Sequence, residues 1–138
     1  MTSIRKFDIR NIDTKAAAEK GLEFELIWQD ELLGIKISVV GAGSDVYKKH
    51  KAVVDGKIAT ADKRGKPLND EEKNYLYVRL AANCTKSWKD MVLDGEDVVF
   101  STENALAVYT EFPWIGTQVI AQIYNIVEMV GNVDTTKS

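Results

Sequence analysis

The chain has 138 residues, of which 45% are apolar and 28% charged, with two prolines and one cysteine. That is ordinary globular composition with enough apolar material for a core, and a lone Cys84 excludes an intrachain disulfide and fits a reducing compartment. A net charge of −3 argues against duplex nucleic acid, which is bound by neutralising phosphates; the N-terminus lacks the apolar run of a secretory signal, and no stretch reaches the ~18 apolar residues of a membrane span.

The expected architecture is α+β, an N-terminal antiparallel β-hairpin followed by a mainly α-helical C-terminal two-thirds. It forms one domain over residues 1–131, with 132–138 as a flexible tail. Thr14–Lys20 suits a short helical turn before Gly21. From there Leu22, Phe24, Leu26 and Trp28 alternate with Glu23 and Glu25, and Ile27 breaks the alternation. After the link Gln29–Gly34, a second run puts Ile35, Ile37 and Val39 on one face and Lys36 and Ser38 on the other. Two such runs joined by a polar link predict a hairpin over 22–40.

Gly41-Ala42-Gly43 ends the strand, and Ser44 or Asp45 caps a helix over 44–62, with Gly56 weakening its middle. Lys63–Pro67 reads as a loop; Asn69 and Glu72 form a capping-box pattern. The stripe Leu76, Leu80, Cys84, Trp88, Met91 carries the next helix over 69–91. Asp94-Gly95 makes a turn, and Val98–Phe100 is a short extended piece. Ser101 caps a helix over 102–111. Pro113 opens a last helix over 113–130, closed by Gly131.

No grouping of residues points to catalysis. Gly41-x-Gly43 lacks the third glycine of a dinucleotide fingerprint, whose place is taken by Val46. His50, the single histidine, lies among lysines, and Cys84 reads as a small core residue. Asp70, Glu71 and Glu72 complement the N-terminus of their helix. Lys48, Lys49 and Lys51, and likewise Lys63, Arg64 and Lys66, read as a solvated helix face and loop. The expectation is a non-enzyme with no cofactor and no metal.

The last helix is unusual: among Thr117–Val130 only Glu128 is charged. Either it is a central helix buried by the others, or one side of it meets another chain. In the second case Trp88, Phe112 and Trp114 are natural anchors, because aromatics are enriched at binding hot spots. Ile115, Ile120, Ile123, Tyr124 and Val127 would complete that surface.

Several short patterns resemble the tail assembly chaperones of long-tailed bacteriophages. They are Gly34-x-x-Ile37-x-Val39-x-Gly41, Ser44-x-x-Tyr47, Trp88-x-x-Met91 and Leu93-x-Gly95-Glu96, then Thr102–Leu106, Pro113-Trp114-Ile115 and Gln118-Val119. Together they span residues 22–130. The resemblance implies a non-enzymatic factor of the bacterial host cytoplasm that coats the tape measure protein and aids recruitment of tail tube (major tail protein) subunits. Such a factor would be a possible homo-oligomer, with no nucleic-acid or membrane partner. A structural tail completion or connector protein, extending a sheet across subunits through the hairpin 22–40, is the alternative. A small enzyme or ligand-binding domain would require a preformed pocket.

Overall fold

Asp13 starts the first helix by accepting the Ala16 amide at 2.8 Å in the computed structural model, which describes residues 12–131. This helix, α1 (Thr14–Lys20), ends at Gly21, whose φ of 72° is open to glycine. Strands β1 (Leu22–Trp28) and β2 (Glu31–Val39) follow, paired antiparallel from Leu22↔Val39 to Trp28↔Glu31. The turn is only Gln29-Asp30, with positive φ at both positions, the twist that a two-residue hairpin requires. The expected longer link is therefore mostly strand. Between Glu25↔Lys36 and Ile27↔Leu32 the register shifts. Gly34 sits there at φ 79°, and its amide donates to the Glu25 carboxylate at 2.7 Å.

Ser44 caps α2 (Asp45–Lys63), accepting from the Tyr47 amide, and the Asn69–Glu72 capping box starts α3 (Asp70–Cys84). The helix expected to reach Met91 stops at Cys84, and the chain becomes strand β3 (Thr85–Lys89). It pairs with β2 to give the sheet order β1-β2-β3. Thr85↔Val39 and Ser87↔Ser38 leave Lys86 as an extra residue, a bulge that turns both Thr85 and Trp88 inward, where each is buried. Cys84, Trp88 and Met91, four and three residues apart and all buried, keep the spacing of a helix face although the segment between them is strand.

Asp94-Gly95 turns a two-stranded ribbon, β4 (Val92–Leu93) and β5 (Glu96–Asp97). Val98–Phe100, expected as extended, is in neither helix nor strand. Then come α4 (Thr102–Glu111), α5 (Pro113–Ile123) and α6 (Ile126–Gly131). The last helix is thus two helices. At the break, the Ile123 carbonyl accepts from the Ala42 amide at 2.9 Å, a competitor for the acceptor that a continuing helix would give to residue 127.

The fold is α+β, with a correction to the expected order: a helix precedes the hairpin and a third strand lies in the helical region. One buried cluster draws on α1, all three sheet strands and α2–α6, with Tyr109, Leu26, Ile37, Ile123 and Met129 fully enclosed. Val40, Gly41 and Ala42 lie at its centre of connectivity. Their successive amides donate to Cys84 O at the end of α3, Ala18 O in α1 and Ile123 O in α5. No helix among the described residues is long and apolar enough to cross a membrane.

Candidate protein-binding surface

A strand with alternating side chains can hide one apolar row, so consecutive apolar residues on a hairpin must leave some uncovered. Leu26-Ile27-Trp28 and Leu32-Leu33 are such runs on facing strands. Leu26 is fully buried, while Ile27 is 46%, Trp28 48% and Leu32 65% exposed. Every residue from 27 to 34 is exposed, so the hairpin tip stands clear of the core. Ile27 and Leu32 are cross-strand partners and share one face. Trp28 is on the other, its ring tilted against Trp114 of α5 at a centroid distance of 5.0 Å. The tip is therefore apolar on both faces.

Gln118 holds this knob in place. Its Nε2 donates to the Ile27 carbonyl at 2.7 Å, and its Oε1 accepts from the Ile27 amide at 2.9 Å. The side-chain amide thus pairs with β1 as one residue of a further strand would. Trp28 against Trp114 and Gln118 on Ile27 together fix the tip to α5.

The residues expected as partner contacts separate into three groups. Trp88, Ile115 and Ile123 are buried in the core. Trp88 Nε1 donates to Val98 O at 2.8 Å, and its ring packs edge-on to Phe100 at 5.1 Å. Phe112, Trp114 and Ile120 are half-buried against that core, and of these Trp114 reaches the hairpin tip. Tyr124 and Val127 are 50% and 79% exposed at the α5–α6 break. The Tyr124 hydroxyl bonds to that of Tyr47. The structure thus does not gather the eight into one patch. The tip residues Ile27, Leu32 and Leu33 escaped sequence reasoning, although three and two adjacent apolar residues on facing strands were a signal for them.

Titratable groups in the interior are held neutral. Burial pushes the Cys84 thiol up to about 12, and burial also raises the Tyr109 phenol, opposed by its bond with Thr85. Among the described residues no group of three or more His, Cys, Asp or Glu could hold a metal ion. Comparison with family models, curated proteins and solved structures finds no match for this chain.

Proposed function

We propose that this protein is a non-enzymatic assembly factor that shields apolar helical segments of a client. In the reading given by the sequence resemblance, it is a phage tail assembly chaperone acting in the host cytoplasm, with the tape measure protein as client and tail tube subunits recruited in turn. The observation that carries it is the hairpin tip: Ile27 and Leu32 on one face and Trp28 on the other, all exposed, with Trp28 held against half-buried Trp114 of α5. A rigid apolar knob can wedge between the apolar stripes of helices without the entropy cost of ordering a loop. Exposed apolar side chains grouped in this way mark interaction sites more often than scattered ones.

The test is co-expression with a phage tape measure protein. The wild-type chain is expected to keep the client in the supernatant, and Leu32→Asp, at a position that faces solvent, to lose that ability with its own circular dichroism unchanged. Undiminished client solubility with Leu32→Asp and Trp28→Asp combined would overturn the assignment of the tip. A virion component is the second reading, favoured by β3 as the last strand of its sheet among the described residues. Mass spectrometry of purified particles separates the two, since a chaperone is absent from them.

A further inference from the structure

Helix α2 is long for what it buries. Of its 19 residues only Tyr47 and Val54 are buried, while Val46 and Val53 stay 39% and 49% exposed. Where α2 and α3 run beside each other, they leave a cleft of about 850 Å³. Buried Leu76 and half-buried Ala61 and Leu68 lie at its base, and Val53 and Tyr75 are exposed along it. Gly56 lines the same cleft, and nothing lies within 4 Å of where its Cβ would stand. Backbone is bare at that point, which allows another backbone to approach closely.

The charges of the cleft are not balanced. Lys57, Arg64 and Arg79 line it against Glu71 and Glu72, an excess of one positive charge, and the Glu72 carboxylate, still charged, accepts from the Asn69 amide at 3.1 Å. Arg79 lies over the Tyr75 ring at 5.9 Å. The ion pairs among the described residues are Lys15–Asp45, Lys51–Asp55 and Lys89–Glu23, so none neutralises the three cations. In a chain of net charge −3, this is a locally basic apolar trough.

We propose that this cleft is a docking site for one amphipathic helix of a partner protein, with an apolar stripe flanked by carboxylates. From Ala52 to Arg64 the trough is ~18 Å long at 1.5 Å per residue, which seats about three turns. Two antiparallel helices present such a groove to a third, as in bundle packing. The stripe fills the space over Gly56 and Leu76, and the flanking carboxylates meet Lys57, Arg64 and Arg79. The cleft shares no residue with the hairpin tip, so either assignment can fail while the other stands.

Two fluorescein-labelled helical peptides test this, with the same leucine stripe and either glutamate or lysine flanks, titrated against the full-length chain by anisotropy. The glutamate peptide is expected to bind at least ten-fold more tightly than the lysine peptide. Gly56→Leu, which fills the trough while improving helix propensity, should weaken binding ten-fold or more with thermal stability kept or raised. The exposed double variant Lys57→Glu/Arg64→Glu should reverse the preference. Equal affinity for the two peptides, unchanged binding by both variants, or no binding at all overturns the proposal. So does a dimer of the chain alone that Gly56→Leu dissociates, because the occupant is then a second copy.

Discussion

At the residue scale, Gly41 shows what a motif conceals. The sequence offers Gly41-x-Gly43 as a flexible turn, and the structure gives the position a packing reason. A Cβ on Gly41 would stand 2.4 Å from the Met129 sulfur and 2.9 Å from Ala18 Cα. Its partners lie in the first and last helices, so no local pattern could announce them. Gly41→Ala is expected to destabilise by about 1–3 kcal/mol, as overpacking does, measured as a lower urea midpoint with unchanged slope. Cys84 was legible as core from its place on an apolar stripe. With its thiol pushed up to about 12 by burial, it should resist a disulfide reagent at pH 8 until denaturant opens the fold. Rapid native-state labelling would contradict that burial. Burial, Lys49 and Arg79 lower the pKa of His50 below its ordinary 6.5. The folded state therefore binds its proton less readily than the unfolded state. The contribution is fully present above about pH 6.5 and is lost as pH falls through the folded value. His50→Gln should flatten the fall in melting temperature as pH drops below about 6.5.

At the scale of elements, the sequence was clearest where caps and alternation agree. The hairpin, α2 with its Ser44 cap, the capping box of α3 and α4 after Ser101 all appear within a residue or two of expectation. It misled where tertiary hydrogen bonds decide. Cys84, Trp88 and Met91 keep a helical spacing and all are buried, yet pairing with β2 draws 85–89 into the sheet. The apolar run 113–130 gives no warning of the break at Tyr124, because the competing amide belongs to Ala42. Gln118 was visible only as a polar residue on an apolar helix; its use depends on the free edge of β1. Gln118→Ala should leave both Ile27 backbone groups to solvent, at a cost of about 1–2 kcal/mol. Amide exchange at Ile27 should quicken while Leu26, in the core, changes little. Equal protection of Ile27 in both proteins would show that the clasp contributes nothing.

Across the whole molecule, burial is unevenly shared. The sheet and α3–α5 supply most of the core, whereas α2, the longest helix, gives it only Tyr47 and Val54. Segments with few buried contacts open at lower free energy than the global transition. Hydrogen exchange should accordingly find the middle of α2 opening well before β2, and uniform protection would refute this. The helix that lines the basic cleft thus buries few residues for its length, two of 19.

The tripeptide Val40–Ala42 has a bearing on how the chain reaches this state. Three adjacent amides find their acceptors on α3, α1 and α5, elements that lie on both sides of it in sequence. Val40 and Gly41 are buried, and a buried amide without a partner is costly. No early intermediate built from neighbouring segments can satisfy all three, so this junction closes only when distant parts of the chain have met. Folding should then be governed by a late, non-local step, with the short peptide after the hairpin acting as the keystone rather than the seed.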